Sequence, residues 1–478
     1  MRPISRRQAL ALGGLGLASV AVGTLALSTT APGGTPPGPA GGAATWREPA
    51  ELRSVDGLLD ARLDAGPVEI EVGGARVSAL GYGGSVPGPT LRVAAGDRIR
   101  LALRNDLGAA TNLHTHGLHV SPRDNGDNPF VSIGDGESFD YEFDVPADHP
   151  PGVYWYHPHL HGSVADQIFA GLYGAIIIDD PKAAEGVRER VMIVSDLSID
   201  AAGRIRSAGA MDRMMGREGE LVLLNGMLAP VIEARPGSRE RWRIVNACVS
   251  RHLRLRVDGH RLDLVAIDSG RRAEPERVEA IDLAPGNRAD VLVTIGPSRG
   301  AVTAQSLDRG GMGMMGGSRP SSGSYRLASI ELAGERLSAA DSTVGPAPAA
   351  DLREVAVDRS RVIEFGMTGM MGRFVFDGRS FDASRVDISA AAGTVEEWTL
   401  RNGTGMDHPF HLHVWPMQVV ERGGTATTVV DQREVVAVPA RGEVVVRVAF
   451  TGFTGRSVYH CHILDHEDGG MMGVIDVR

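Results

Sequence analysis

A run of soft metal ligands lies near the end of the chain. The segment from Ser457 to Gly473 carries a thiol, three imidazoles and a thioether: His460, Cys461, His462, His466 and Met471. Two His and one Cys with a weak axial Met form a blue-copper electron-transfer site, and Cys461, His466 and Met471 could supply three of these four ligands. Successive side chains on a strand point to opposite faces. His460 and His462 are therefore expected to face a second metal site behind the first.

Three further histidine motifs match this run: His114-Thr-His116, His157-Pro-His159 and His408-Pro-Phe-His411-Leu-His413. The four motifs together take ten of the fifteen histidines. One pair of alternate histidines is a weak signal, because both side chains could face solvent. Four such motifs around a cysteine are specific, and they argue against an ordinary core cysteine with incidental histidine neighbours.

An internal repeat indicates which elements position these motifs. Three segments share a ten-residue template with Gly first, Leu or Trp sixth, Leu or Ile eighth and Asn last: Gly96–Asn105, Gly237–Asn246 and Gly393–Asn402. Their polar and apolar residues mostly alternate, which predicts strands. Roughly forty residues after each copy, Gly136, Gly286 and Gly442 open a further predicted strand. The copies lie 141 and 156 residues apart, which indicates three similar domains and not a short-period solenoid.

The sequence therefore predicts an all-β protein of three β-sandwich domains. Helical periodicity is almost absent, and short strands are separated by Gly, Pro and Asp turns. At 478 residues the chain is also too long for a single core. The predicted spans are a signal and linker at 1–45 and domains at 46–180, 181–345 and 346–478.

The ends of the first and third predicted domains share one pattern. The first runs Tyr154-Trp155-Tyr156-His157-Pro158-His159 and then Gly171-Leu172-Tyr173-Gly174, and the third runs Val458-Tyr459-His460-Cys461-His462 and then Gly470-Met471-Met472-Gly473. Pro158 stands where the third domain has Cys461, and Leu172 stands where it has Met471. The first domain thus keeps the paired histidines without the blue-copper ligands.

These motifs and their order resemble those of the three-domain multicopper oxidases, the group that contains laccases, bilirubin oxidases and bacterial cuprous oxidases. The resemblance covers essentially the whole chain after the predicted signal, and every ligand position is filled. It implies three cupredoxin-like Greek-key domains, with a trinuclear cluster between the first and third and no copper ligand in the second.

The resemblance also implies four copper ions: one type 1, one type 2 and a type 3 pair. His408, Cys461 and His466 resemble the equatorial type 1 ligands, with Met471 axial. His114 and His411 resemble the type 2 ligands. The six ligands of the type 3 pair would be His116, His157, His159, His413, His460 and His462.

The implied reaction takes single electrons from a reductant and reduces O2 to water with four of them. The family relays the necessary protons through acidic residues near the cluster. Glu467 matches one such position. Asp127 is the candidate for the other, with Asp124 as the alternative. A solvated loop carboxylate is the alternative role for each of these residues.

The positions of the methionines indicate Cu(I) as a candidate substrate. Several of the sixteen lie in Gly-containing segments that suit loops better than a core, and soft thioethers select Cu(I). By resemblance to cuprous oxidases of the family, the candidate substrate residues are Met406, Asp407, Met367, Met370, Met371, Met312, Met314 and Met315. Met211, Met214 and Met215 form another cluster. Flexible loops without a metal role are the alternative.

The predicted function is a multicopper oxidase acting on Cu(I), and on Fe(II) or phenols as further donors. A laccase acting mainly on aromatic donors is the alternative enzyme. A copper-buffering protein or a cell-envelope scaffold would be non-catalytic, and the complete ligand set argues against both.

Composition and the first residues bear on location and partners. The net charge of −10 and the pI near 5.9 argue against nucleic-acid binding. Arg6 and Arg7 precede a mild apolar run, which predicts export of a periplasmic or extracellular protein by the twin-arginine machinery. A membrane anchor is the alternative, but Gly13, Gly14 and Gly23 interrupt the run, so no stable anchor is expected.

The histidines outside the motifs are expected to have ordinary roles. His119, His149, His252 and His260 are predicted to be surface or hydrogen-bonded residues. Cys248 is predicted to be a buried thiol.

Overall fold

The computed structural model describes residues 44–181, 187–311, 323–337, 350–369 and 372–478. These residues form six sheets that pair as three sandwiches, so the prediction of an all-β protein is confirmed. Within these ranges, no helix has the length and apolar character needed to cross a bilayer. The boundaries near 180 and 345 stay predictions, and both the predicted signal and residue 345 lie outside the described residues.

The first sandwich pairs a four-stranded sheet with a five-stranded sheet. Its elements are β1 (Glu51–Arg53), β2 (Leu58–Val72), β3 (Ala75–Tyr82), β4 (Thr90–Val93), β5 (Arg98–Asn105), β6 (His114–His116), β7 (Ser138–Asp144), β8 (Gly152–His157), α1 (Val164–Phe169) and β9 (Gly174–Ile178). The sheet orders are β3-β2-β5-β7 and β1-β4-β9-β8-β6. The second of these sheets carries the first two histidine motifs.

The second sandwich pairs a six-stranded sheet with a five-stranded sheet. Its elements are β10 (Arg188–Leu197), α2 (Ala210–Met215), β11 (Leu221–Leu224), β12 (Val231–Ala234), β13 (Arg239–Asn246), β14 (Leu253–Asp258), β15 (Arg261–Ile267), β16 (Gly270–Val278), β17 (Ile281–Leu283), β18 (Arg288–Thr294), β19 (Gly300–Ser306) and β20 (Ser324–Leu332). The orders are β11-β10-β13-β18-β15-β16 and β12-β20-β19-β14-β17.

The third sandwich has the same build. A 3₁₀ turn (Leu352–Glu354) precedes β21 (Arg359–Met367), β22 (Phe374–Phe376), β23 (Ile388–Ala390), β24 (Val395–Asn402), β25 (His408–Leu412), β26 (Met417–Arg422), β27 (Thr425–Arg433), β28 (Val435–Val438), β29 (Glu443–Ala449), β30 (Gly455–Cys461), α3 (Leu464–Asp468) and β31 (Met472–Val477). The orders are β22-β21-β24-β29-β26-β27 and β23-β31-β30-β25-β28.

The repeated template forms the same strand in each sandwich. Its copies are β5, β13 and β24, and each pairs antiparallel with the strand that the second glycine opens, β7, β18 or β29. The terminal Asn of each copy donates hydrogen bonds to at least two backbone carbonyls. Asn105 donates to the carbonyls of Ala109 and Ile133, and Asn402 donates to those of Met406, Val438 and Pro439. The template therefore fixes the loop that leads to a histidine motif in the first and third sandwiches.

Each sandwich has its own apolar core, with Tyr141 buried in the first, Trp242 in the second and Trp398 in the third. A fourth cluster joins the sandwiches. In it, Trp155 of β8, Ile193 of β10 and Leu464 of α3 are buried together. This shared packing holds strand ends from different sandwiches close enough to build a common site.

Candidate metal centre

One cysteine and two histidines converge inside the third sandwich. Cys461 Sγ lies 3.4 Å from Nδ1 of His408 and 3.9 Å from Nδ1 of His466. All three side chains are buried, and their ligand atoms lie within 4.8 Å of one another. We call them the Cys461 group. A thiolate and two imidazole nitrogens at this spacing suit a single copper ion.

Hydrogen bonds on the far ring nitrogens orient the two imidazoles. Nε2 of His408 lies 3.0 Å from Thr404 Oγ1, and Nε2 of His466 lies 3.1 Å from the carbonyl oxygen of Met214 in α2. Burial lowers the pKa of both histidines, to about 3 for His408. The rings are therefore neutral, and each Nδ1 is free to bind a metal ion beside the sulfur.

The turn that carries Met471 is tied to the same group. The Cys461 N–H donates to the Met471 carbonyl at 3.0 Å, and the Met471 N–H donates to the His466 carbonyl at 2.9 Å. The Met471 side chain is buried in the apolar cluster that contains Cys461. Phe374 packs on the His466 ring with 4.3 Å between ring centroids. The group is therefore shielded from water.

Eight further histidines lie together where the first sandwich meets the third. All are buried, and we call them the histidine cluster: His114, His116, His157, His159, His411, His413, His460 and His462. The strand register brings them together, because His114 on β6 lies opposite His157 on β8. His411 on β25 lies opposite His460 on β30 in the same way.

The ring nitrogens of this cluster approach one another closely. Nε2 of His460 lies 3.1 Å from Nε2 of His159 and 3.1 Å from Nε2 of His413. Nε2 of His114 lies 3.3 Å from Nε2 of His411. Burial lowers the pKa of His411 and His413, and it lowers the pKa of His159 and His460 to about 3. Neutral imidazoles packed this closely are ready to share metal ions, and three triads have the spacing for one: His114–His411–His413, His114–His116–His157 and His159–His413–His460.

Several ring nitrogens are held by acceptors outside the cluster. Nδ1 of His157 lies 2.8 Å from the Pro158 carbonyl, and Nδ1 of His411 lies 2.8 Å from the Glu434 carbonyl. Each contact fixes the proton on Nδ1 and leaves the Nε2 lone pair for a ligand.

Other nitrogens of the cluster have no hydrogen-bond partner among the described residues. They are Nε2 of His116, Nδ1 of His159, Nδ1 of His413 and both ring nitrogens of His462. Buried polar atoms are almost always paired in folded proteins. These unpaired imidazoles therefore fit a resident copper cofactor.

Strand β30 connects the two groups. The Cys461 sulfur faces His408, whereas the side chain of the preceding residue, His460, faces the histidine cluster. This alternation follows from the pleat of a strand. The cysteine is therefore joined to His460 and His462 through the backbone of adjacent residues.

Two buried carboxylates lie beside the histidine cluster. Glu467 Oε2 lies 2.9 Å from Nδ1 of His460, and burial raises the pKa of this carboxyl to about 7. Asp127 lies 2.9 Å from Nδ1 of His114 and accepts the Thr115 N–H at 2.7 Å. Burial would raise the pKa of Asp127, but His114 and Thr115 more than offset this effect and the pKa is lowered. Asp124, the alternative to Asp127, is exposed.

The candidate substrate residues that the structure describes differ in how deeply they are buried. Met406 is buried in the core with Cys461, and Asp407 is half-buried and accepts the Ala440 N–H at 2.7 Å. Met367 is partly buried against the same core. The remaining candidates, Met312, Met314, Met315, Met370 and Met371, lie outside the described residues.

The second sandwich contributes residues that the sequence motifs did not single out. Arg288 is buried, donates to the Val153 carbonyl of the first sandwich and pairs with Glu434 of the third at 2.5 Å. A Cβ on Gly286 would lie 2.7 Å from Nε2 of His462, so only glycine lets this strand approach the cluster. No local pattern marks Arg288. Gly286 was recognised only as the start of a repeated strand, and its approach to the cluster shows only in three-dimensional contacts.

The other histidines have ordinary surroundings. His119, His149 and His260 are hydrogen-bonded, as predicted. His252 is buried, and its ring lies beside the Ser250 backbone. Cys248 is a buried thiol, as predicted.

Comparisons with known proteins agree with this geometry. Family models described as multicopper oxidase match residues 65–183, 191–301 and 356–478. The chain is 26% identical over 416 residues to a multicopper oxidase of Staphylococcus haemolyticus, with 84% of each chain covered. It is 28% identical over 331 residues to copper resistance protein A of Pseudomonas syringae pv. tomato, which covers 57% of this chain and 53% of that one.

A solved structure gives the same result for the fold. A multicopper oxidase from Campylobacter jejuni, described as a metallo-oxidase, superposes with a TM-score of 0.81 and 31% identity. The match covers 91% of this chain and 95% of that chain. The cupredoxin-like architecture predicted from the motifs is therefore confirmed. The chain belongs to the multicopper oxidase family, and it is an oxidase with four copper ions that takes electrons from a reductant and passes them to O2.

Proposed function

We propose that the Cys461 group and the histidine cluster hold the four copper ions in the roles expected from the motifs. His408, Cys461 and His466 would bind the type 1 ion, with Met471 as a weak axial ligand. His114 and His411 would bind the type 2 ion. The type 3 pair would be held by His116, His157, His159, His413, His460 and His462.

One observation carries this assignment: ten buried histidines and one buried cysteine form two groups joined by adjacent residues of β30. When bound, the copper ions collect single electrons and deliver them to O2, which needs four electrons and four protons to become two waters. Cys461 and its neighbours His460 and His462 supply the covalent route between the groups.

The two buried carboxylates suit different tasks. Glu467, with a pKa raised to about 7, can hold a proton near neutral pH and release it beside His460. Asp127 has a lowered pKa and stays ionised, so it orients His114 through Nδ1. We infer that Glu467 delivers protons and that Asp127 mainly fixes the ligand geometry.

The proposed substrate is Cu(I). Met211 is exposed on α2, and Met214 and Met215 of the same helix are partly buried. The Met214 carbonyl contacts Nε2 of His466, so α2 joins the surface to the Cys461 group. Thioethers suit a soft cation. Similarity to a copper resistance protein and to a metallo-oxidase supports this substrate.

Oxidation of phenols is the second candidate. Met406 is buried and is therefore not presented to an incoming ion, and one oxygen of the half-buried Asp407 carboxylate accepts the Ala440 N–H. A donor that exchanges electrons at the surface near α2 would need no metal ligand there. Fe(II) would require hard oxygen ligands, and it serves as a third donor in the test.

The test compares rates with Cu(I), Fe(II) and a phenol on one copper-loaded preparation. Changing Met211, Met214 and Met215 to Leu conserves volume approximately. We expect Cu(I) oxidation to fall and phenol oxidation to stay level. Met192→Leu is the control, because Met192 lies in the second-sandwich core. Loss of phenol oxidation alone would favour the laccase alternative.

We also propose export by the twin-arginine route, from Arg6 and Arg7 ahead of a mild apolar run. The translocase reads guanidinium groups, so Lys at both positions should retain the protein in the cell. Cell fractionation of the two forms provides the test, and unchanged export of the Lys variant would contradict the proposal.

A further inference from the structure

A buried arginine of the second sandwich lies beside the Cys461 group. Arg309 follows β19, and its carbonyl accepts the Asp407 N–H at 2.7 Å, one residue before His408. Its guanidinium donates to the Gly216 carbonyl at 2.8 Å. Arg309 is thus fixed between the segment before His408 and the segment after α2.

The guanidinium also lies close to the residues that follow Cys461. A Cβ on Gly216 would be 2.7 Å from Nη1 of Arg309 and 2.6 Å from Cγ2 of Ile463, so these two atoms are near neighbours. The Ile463 N–H in turn points to Cys461 Sγ at 3.4 Å. Ile463 thus lies near the cation through its side chain and near the sulfur through its backbone N–H.

The charge of Arg309 is only partly compensated. Its Nη2 lies 3.4 Å from Glu218 Oε1, whereas Arg251 approaches the other oxygen of Glu218 at 3.0 Å. Nη1 of Arg309 has no hydrogen-bond partner among the described residues. A guanidinium is not deprotonated in proteins. Arg309 therefore remains a cation that shares one carboxylate with a second arginine.

The field of this cation reaches the metal ligands. After burial, which is the larger cause, Arg309 also lowers the pKa of His408. For Cys461, burial raises the pKa most and Glu467 adds to the rise, whereas the Ile463 N–H and then Arg309 oppose it by favouring the thiolate. Coulomb interactions are strong where water is excluded.

We propose that Arg309 sets the reduction potential of the type 1 ion by electrostatics. Uptake of one electron makes that site more negative, and a fixed cation in a dry surrounding stabilises the reduced form. Arg309 thus raises the potential, and Glu218 moderates the effect by partial neutralisation. This inference rests on the proposed type 1 ligand set, and in it Arg309 acts through its charge without binding the ion.

The charge of Arg309 can be separated from its hydrogen bond to Gly216 by two variants of opposite sign. Arg309→Met removes the cation, so the potential should fall. Glu218→Gln leaves Arg309 in place and removes the neutralising charge, so the potential should rise. If Arg309 only held the loop over His466 in place, the two variants would not shift the reduction potential in opposite directions. Arg309→Lys keeps the charge and should lie closer to the wild type than Arg309→Met.

The measurement is a redox titration of the blue absorption band in copper-loaded full-length protein. We expect Arg309→Met to shift the ratio of reduced to oxidised ion about tenfold at a fixed applied potential, which is about 59 mV for one electron. The band position should change little, because none of the three ligands is altered. Glu218→Gln should shift the ratio in the opposite direction.

The outcomes distinguish this inference from the proposed function. A wild-type protein without a blue band would overturn the ligand assignment itself. With the band present, an unchanged potential in Arg309→Met, or shifts of the same sign in both variants, would overturn the role of Arg309. If Arg309→Met fails to bind copper, Glu218→Gln becomes the deciding test. A reduction potential of Glu218→Gln that is lower than or equal to that of the wild type would refute the proposal.

Discussion

The ends of the first and third sandwiches share one backbone frame. In the first, Tyr156 on β8 lies opposite Gly174 on β9, and in the third, Tyr459 on β30 lies opposite Gly473 on β31. A Cβ on either glycine would collide with the facing tyrosine ring. In both sandwiches the residue after this tyrosine belongs to the histidine cluster. The frame therefore places cluster histidines in the same way twice.

The side chains around that frame differ. The first sandwich has Pro158 and Leu172 where the third has Cys461 and Met471, and Leu172 is buried in an apolar core. Proline offers no ligand atom, and leucine replaces a thioether by hydrocarbon. The first sandwich thus contributes to the histidine cluster without a thiolate or thioether ligand of its own.

A third difference lies six residues after the repeated Asn. There the third sandwich has His408, whereas the first has Thr111, whose hydroxyl donates to Gln167 Oε1 at 2.7 Å. In the first sandwich, a hydroxyl–amide hydrogen bond therefore lies where the third sandwich has a histidine of the Cys461 group. The shared backbone frame alone therefore does not create the Cys461 group. A few side chains decide which sandwich has this group.

The most severe test of this difference is Cys461→Ser. The third sandwich would then lack a thiolate, as the first does, so we expect a folded, colourless protein whose oxidase turnover falls to background. Absorption spectra and O2 uptake provide the measurement. Cys248→Ala is the matched control, since this other buried thiol lies in the second sandwich. A blue Cys461→Ser protein would refute the thiolate assignment.

His413→Ala should separate the two groups. It removes a cluster nitrogen that lies 3.1 Å from His460 and leaves the Cys461 group intact. We expect the blue band to persist while O2 consumption with any donor falls to background. His161→Ala, at an exposed histidine, should leave both properties unchanged. Full O2 consumption by His413→Ala would show that the cluster is misassigned.

Glu467→Gln should slow O2 reduction with a smaller effect than loss of a ligand. Gln has nearly the same shape but cannot release a proton beside His460, and general acid catalysis typically contributes roughly 10²-fold or more. We expect a fall of about 10²-fold in O2 consumption with the blue band retained. Activity equal to that of the wild type would exclude Glu467 from proton delivery.

The same carboxyl should affect the stability of the copper-free protein. Its pKa is raised from about 4.5 to about 7, so the folded state binds the proton more tightly than the unfolded state. The stabilisation of the folded state by this proton is fully present below pH about 4.5 and is lost as the pH rises through about 7. The free energy of unfolding falls by about 3 kcal/mol in total over this range.

Denaturant unfolding at pH 5 and pH 8 checks this sign. The wild type should lose more stability than Glu467→Gln between these two pH values. A larger loss in the variant would mean that the buried carboxyl is not protonated in the folded state.

The smallest effect concerns the shared frame. Gly473→Ala and Gly174→Ala each force a methyl group against a tyrosine ring, and overpacking of this kind costs about 1–3 kcal/mol. We expect similar losses in thermal unfolding for the two variants. Gly366→Ala is the control, because a Cβ there meets no atom within 4 Å. A loss confined to one sandwich would show that the frames are not equivalent.

Much of this site follows from local sequence patterns. The ten-residue template predicts β5, β13 and β24, because alternation specifies a strand wherever it occurs. The histidine motifs predict which side chains meet, because residues two apart on a strand share a face. The all-β class and the family follow from these patterns together.

The surroundings of the site could not be predicted in this way. Arg309 reaches the segment before His408 from the second sandwich, and the Met214 carbonyl reaches His466 from 252 residues away in the chain. Such contacts depend on how sandwiches pack.

Copper analysis combined with electron paramagnetic resonance of the wild-type protein tests whether the third sandwich holds a thiolate-bound copper ion and shares the remaining ions with the first. We predict four copper ions per chain, with one type 1 and one type 2 signal of equal intensity and a coupled pair that gives no signal. Fewer than four ions in a fully loaded protein, or a spectrum without the type 1 signal, would contradict the account.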